Sequence, residues 1–411
     1  MIVNFEKKLD MLAELVVSIG VNVGEGDEVV ISSIIDSAPF ARALAKKAYE
    51  KGAKDVTVFW SDEEISRIRY RGSSQETLED IPAWLAQSRI EVAEKKKCYI
   101  AISSGDPLAY EGIDAEKIAG ASRALRRACA PFHRASMVND IRWCVCSGAT
   151  VGWAKRVFPE LSEKVALEKL WTMIFKAMRV DKADPVKAWE QHGKRLLKRC
   201  RHLNRAQFES FEIKNSKGTD LVVKMPKDYR FFGGFEKSTD GVTFAANMPT
   251  EEVFSAPLRT GVDGKLVATM PLSRNGKLVE NFWFTFENGK VVDYGAEKGK
   301  EVLDAIFATD EGAKYLGEIA LVPYNSAIRN LETLFYNTLF DENASCHFAL
   351  GRAYAAVKGA EKMTESQQLA AGLNQSVEHV DFMVGSEDLS VVGNFKDGNR
   401  EVIIRNGNFV I

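Results

Sequence analysis

Carboxylates and imidazoles are concentrated in four segments of the second half, each apolar or turn-like around them. These are NMPTEEVFSAP (247–257), KYLGEIALVP (314–323), DENASCHFALGRAY (341–354) and NQSVEHVDFMVG (374–385). In the last, His379 and Asp381 are one residue apart and followed at once by Phe382 and Met383. On a strand, positions i and i+2 share a face, so the two polar groups converge against a core. A carboxylate buried there needs a partner, and a cation would serve.

Each segment taken singly has a plainer reading. Glu318 inside YLGEIALV fits an edge strand with one exposed acid, and Glu251-Glu252 fits a solvated pair. His347 beside Cys346 fits a structural histidine; it shares a face with Ser345 and Ala349 on a strand, or with Tyr354 on a helix. Taken together, Glu252, Glu318, Glu342, His347, His379 and Asp381 have too few cations nearby in sequence to pair with. Six ligands exceed the needs of one tetrahedral zinc and suit two divalent ions with mixed oxygen and nitrogen donors. The expected cofactor is two divalent metal ions, zinc, cobalt or magnesium. The chemistry this allows is hydrolysis. An amidase or phosphoesterase fits the ligand types, and a non-catalytic ligand-binding protein built on the first half is the reading from another class.

These residues must be positioned by a chain of 411 residues, long enough for two domains. Residues 1–205 read as an α/β domain with a mostly parallel sheet. DEVVISS (27–33), KDVTVFW (54–60) and KCYIAISS (97–104) are strand-like, and they alternate with helical patterns at 37–52, 84–96 and 113–128. Helices at about 163–178 and 184–199 follow, and the apolar run 11–23 reads as a docked helix. Residues 206–411 read as an α+β, mainly antiparallel, metal-binding domain. Its signals are Asn275-Gly276, Asn288-Gly289 and Asn406-Gly407, each suited to a type I′ hairpin turn. GKLVENFWFTFENGKVVDYG (276–295) reads as a hairpin, with helices expected at about 297–307 and 328–339.

Composition excludes several classes. A formal charge of −2 gives no basic field for nucleic acid or an anionic membrane. MIVNFEKKLD has no secretory pattern, and six irregularly spaced cysteines fit reduced thiols in a cytoplasmic protein. VNVGEGDEV (21–29) precedes a strand instead of opening a helix, so it reads as a turn and not a phosphate loop. GKRLLKRCRHLNR (193–205) reads as the solvated face of a helix, and His133 and His192 as surface or structural residues.

The four segments resemble, in order and approximate spacing, the motifs of the M29 metallo-aminopeptidases of the thermophilic aminopeptidase type. Weaker similarity extends through KGTDLVVKM (217–225), ADPVKAWEQH (183–192) and WCVCSGATVGWAKRVFPEL (143–161). The resemblance implies a two-metal exopeptidase, a homodimer, and peptide substrates with a free N-terminus. It assigns as ligands Glu252 from PTEEV, Glu318 from LGE as a bridge, Glu342 and His347 from DENASCH, and His379 and Asp381 from HVD. Tyr354 matches a tyrosine lining the family site and is expected to stabilise the oxyanion. Glu251, adjacent to the ligand Glu252, is the candidate for carrying a proton to the leaving amine.

Overall fold

A computed structural model describes residues 3–274 and 277–411. The chain forms two compact units: residues 1–191 with 235–249, and residues 192–234 with 250–411. The division falls inside the helix Pro185–Ala206, where the sequence suggested 205. The short 235–249 segment returns to the first unit because the Ala246 carbonyl and the Met248 amide bond to the backbone of Val145.

In the first unit, strands β1 (Glu28–Ile34), β2 (Asp55–Ser61), β3 (Cys98–Ile102) and β4 (Trp143–Cys146) form a parallel sheet in the order β2-β1-β3-β4. The connecting helices arise where the apolar period changes from 2 to 3.6. The helix Ala38–Glu50 has a proline in its first turn and buries Phe40, Leu44 and Ala48, spaced four apart, on one face. The run 11–23 lies in the helix Phe5–Leu15 and the π-turn Val16–Gly20, with Leu12, Leu15, Val16 and Val17 fully buried. Strand β4 was not anticipated, since WCVC is too short a run to show a period.

The second unit is built from two antiparallel sheets. The larger has eight strands, and its middle runs from Trp283–Glu287 through Val262–Val267, Asp220–Lys224 and Ser210–Lys214 to Ser390–Asn394. The smaller has four, in the order His379–Met383, His347–Gly351, Leu316–Leu321 and Val253–Ser255. Phe211, Leu266, Phe284 and Phe286 of the first share one apolar core with Ile319, Phe348, Leu350 and Phe382 of the second. This is the α/β plus antiparallel architecture that the sequence implied.

Asn288-Gly289 and Asn406-Gly407 take positive φ at both residues, as the I′ turn demands. Asn275-Gly276 lies outside the described residues; the strands Leu272–Arg274 and Lys277–Val279 on either side of it pair antiparallel. The helix expected at 297–307 is Lys300–Thr309. The one expected at 328–339 does not form. In its place are a 3-10 turn at Arg329–Leu331 and a short helix Thr338–Asp341. The Asp341 carboxylate accepts the N–H groups of Phe335 and Asn337, a side-chain bond that competes with helix, and Glu332 and Tyr336 adopt positive φ. Among the described residues no helix is long and apolar enough to cross a membrane.

Candidate metal centre

The four-stranded sheet of the second unit has one apolar and one polar face. Ile319, Leu321, Phe348, Leu350, Val380 and Phe382 point into the core. The alternation of the strands therefore sends Glu318, His347, His379 and Asp381 to the opposite face. The register places each of these opposite a small residue: His347 faces Ala320, Glu318 and Asp381 both face Ala349, and His379 faces Gly351. The missing bulk is the room in which the long polar side chains meet. A bulge between Leu316 and Glu318 aims the acid. It needs Gly317, where a Cβ would stand 2.3 Å from the Arg352 carbonyl oxygen. Gly351, at φ +100°, would bring a Cβ equally close to the Glu378 oxygen.

Two trios result. Glu252, Glu318 and His347 form one; Glu318, His379 and Asp381 form the other; in each, one ligand atom per residue lies within 4.8 Å of the others. His347 Nε2 is 3.2 Å from Glu252 Oε2 and 3.9 Å from Glu318 Oε1. His379 Nε2 is 3.1 Å from Glu318 Oε2 and 3.4 Å from Asp381 Oδ1. The far ring nitrogens are fixed by backbone: His347 Nδ1 bonds the Ser345 carbonyl at 3.0 Å, and His379 Nδ1 bonds that of Arg352 at 2.7 Å. That leaves both Nε2 atoms turned toward the acids, the arrangement of a ligating histidine.

The electrostatics are unbalanced. Burial, followed by the Glu252 and Asp381 carboxylates, pushes the Glu342 pKa well above the usual range. Burial also raises that of Glu318, against the attraction of His379. Burial opposes charging of His347, but the Glu252, Glu318 and Asp381 carboxylates outweigh it and push its pKa up to about 10. His379 moves the same way through Asp381 and Glu318, and its imidazole holds Asp381 below the ordinary carboxylate range despite burial. Among the described residues no lysine or arginine pairs with these acids. Glu252 Oε2 is buried and, although close to His347, has no hydrogen-bond partner aligned with it. A divalent cation fits this donor set: hard oxygens, two imidazoles, an orphaned acceptor and an excess of negative charge.

A family model described as thermophilic metalloprotease (M29) matches residues 5–409. The chain belongs to the M29 metalloproteases. It is therefore a metal-dependent hydrolase of peptide bonds. Curated relatives include aminopeptidase AmpS of Bacillus subtilis, 44% identical over 99% of both chains, and aminopeptidase T of Thermus aquaticus, 41% identical over 99% of both. The solved structure of wild-type AmpT from Thermus thermophilus superposes at a TM-score of 0.93 with 39% identity, covering 99% of this chain and 100% of that one. A 2,5-dihydroxypyridine dioxygenase from Pseudomonas putida matches at a TM-score of 0.55 and 10% identity, over 99% of this chain and 98% of that one, and so shares the fold alone.

The remaining residues singled out in this M29 chain lie at differing distances from the trios. Glu342 sits in the 3-10 turn Glu342–Ala344, in electrostatic range of Glu252, Asp381, His347 and Glu318 but in neither trio. The Tyr354 ring packs edge-on against His379, 5.2 Å between centroids. Although 45% of this residue is exposed, desolvation and then the carboxylates of Glu318, Asp381, Glu342 and Glu252 push its pKa well above 10. Glu251 is in neither trio. It is buried, with Oε2 3.7 Å from His192 Nε2. His192 is a buried structural residue, its Nε2 2.7 Å from the Thr250 carbonyl. Sequence reasoning missed Asn343. It is fully buried, accepts the Glu251 N–H at 2.8 Å and donates to the Leu339 carbonyl at 3.0 Å, tying the Glu252 and Glu342 segments together. Its only signal in the sequence was a position beside a predicted ligand.

Proposed function

We propose that the carboxylate–imidazole cluster is the catalytic centre of a metal-dependent aminopeptidase, removing the N-terminal residue of peptides. Glu252, Glu318, Glu342, His347, His379 and Asp381 hold two divalent ions, zinc, cobalt or magnesium, with Glu318 shared. Divalent ions supply Lewis acidity there, polarising the scissile carbonyl and making water a competent nucleophile at neutral pH. The observation that carries the reading is the presence of Glu318 in both trios.

The chain's own residues do the rest. The backbone bonds of His347 and His379 hold each ring in one tautomer and orientation. Tyr354 stays protonated through the neutral range, so its hydroxyl is a donor for the carbonyl oxygen as that atom gains charge. Its exposure beside His379 leaves it within reach of a substrate. The six cysteines are free and buried, which supports a cytoplasmic setting. A homodimer is part of the same reading, and sedimentation equilibrium tests it.

The deciding experiment measures the metal content of the purified protein, and its hydrolysis of leucine p-nitroanilide before and after chelation. Two ions per chain are expected, with activity lost on chelation and restored by adding metal. Activity that survives complete metal removal, or hydrolysis of nitrophenyl phosphate in preference to the anilide, would sink the proposal.

A further inference from the structure

A cavity of about 240 Å³ adjoins the cluster, with His379 and Asp381 forming part of its wall. The apolar part of the wall comes from Met270, Pro271, Leu272, Leu334, Val380 and Met383. Its size excludes much. Pockets for drug-sized ligands begin at about 300 Å³. At about 240 Å³ this one is of a size to take one side chain.

Its charges are already satisfied. Among the described residues of the wall Arg274 is the only lysine or arginine, and its Nη2 is bound to Glu378 at 2.5 Å. The Asp341 carboxylate accepts the backbone N–H groups of Phe335 and Asn337. Apart from the ligand residues themselves, no other charged group among the described residues of the wall is left to receive an ionised side chain, and burying one unpaired is unfavourable. Two flexible methionines and two leucines adapt to an unbranched or γ-branched apolar group.

A position beside the reacting centre is where the substrate's terminal residue must lie. That residue ends its chain and can be enclosed, whereas the leaving peptide needs an open path. We propose that this cavity receives the side chain of the N-terminal residue and selects an uncharged apolar one of the size of leucine or methionine. The inference rests on the cluster being the aminopeptidase centre.

Leu272 and Leu334 are both half-buried and line the pocket, Leu272 with one side against the core of the second unit, so a larger ring at either is expected to narrow the pocket. The test compares kcat/KM for leucine, methionine, alanine, lysine and glutamate p-nitroanilides in the parent, Leu272→Trp and Leu334→Trp, with metal content measured alongside. The parent is expected to favour leucine and methionine. In both variants the leucine-to-alanine ratio is expected to fall by about tenfold or more while metal content holds. The ratio cancels any loss of active fraction, so partial misfolding does not imitate the result. A parent preference for lysine or glutamate, an unmoved ratio in both variants, or a shift seen only in dipeptides differing at the second residue overturns the pocket assignment and leaves the aminopeptidase reading standing. A metal-loaded parent that cleaves none of the five overturns both.

Discussion

The protein contains two four-stranded sheets of opposite character. In the parallel sheet of the first unit, strand centres carry Val29, Val30, Ile31 and Ile100, all buried, and the acids gather past the strand ends. There Glu63 accepts the Asp106 N–H at 3.2 Å, and burial together with Asp106, Asp36 and Asp62 raises its pKa. These acids have no imidazole among them and form no ligand group among the described residues. The antiparallel sheet of the second unit instead gathers acids and imidazoles on one face, each with an alanine or glycine as a cross-strand neighbour. One sheet is organised for stability. The other buries acids and imidazoles against one another, with the carboxylates in excess.

Substitutions at matched central positions should break this symmetry most clearly. Glu318→Gln is expected to lower kcat about a thousandfold or more and remove both ions, because the shared ligand is lost. Ile100→Ala in the parallel sheet should do the reverse, destabilising by about 2–5 kcal/mol with full metal content. A Glu318→Gln protein that keeps two ions contradicts the bridging role. Tyr354→Phe should lower kcat by about 100- to 1,000-fold with metal content unchanged. Lost metal in that variant would contradict its role as a donor.

The same imbalance sets a pH dependence. The ordinary histidine pKa is 6.5, and in the folded, metal-free chain His347 reaches about 10. Between those values the native state holds a proton that the unfolded chain has released. That contribution to stability is complete below pH 6.5 and disappears as pH rises through 10. His379 shifts in the same direction. A metal ion must displace the His347 proton, so loading at pH 7.5 should release at least about one proton per chain, and the affinity for the ion that His347 holds should rise about tenfold per pH unit. Calorimetry in buffers of differing ionisation enthalpy measures the release, and zero net release would refute the protonated metal-free cluster. In the parallel sheet Glu63 moves oppositely to a paired acid: its raised pKa makes the fold lose stability as pH climbs above the ordinary carboxylate value of 4.5.

How much of this could be read in the sequence follows from the range of the forces involved. Strand alternation showed that His379 and Asp381 share a face, because period two is a local property. Asn288-Gly289 revealed its turn for the same reason. The small residues that make room for the ligands were not legible, since Ala320, Ala349 and Gly351 gain meaning only from cross-strand register. The failed helix at 328–339 shows a tertiary-like capture within one segment: the Asp341 carboxylate competed for the Phe335 and Asn337 amides. Asn343 links residues 92 positions apart and left no local trace. Asn343→Ala, which cuts that link, should weaken metal binding by about 10- to 100-fold with little change in the melting temperature of the metal-free chain. Equal loss of both properties would assign it to folding alone.

The smallest expected effect concerns Glu251, and it asks how far the polar character of the sheet extends past Glu252, the residue just before the strand Val253–Ser255. Adjacent residues on an extended chain point to opposite sides, so Glu252 at the cluster commits Glu251 to the side of His192. There the Thr250 carbonyl takes the imidazole and Asn343 takes the Glu251 N–H, holding the backbone on both sides of the carboxylate. A proton carrier must reach the substrate, directly or through one water. With its carboxylate facing the helix that bears His192, Glu251 acts through segment geometry, and Glu251→Gln should lower kcat less than about tenfold and leave the shape of the pH–rate profile unchanged. A drop of about a hundredfold with one limb of that profile lost would restore the proton-carrying role. It would also mean that Glu251 turns toward the metal face during turnover.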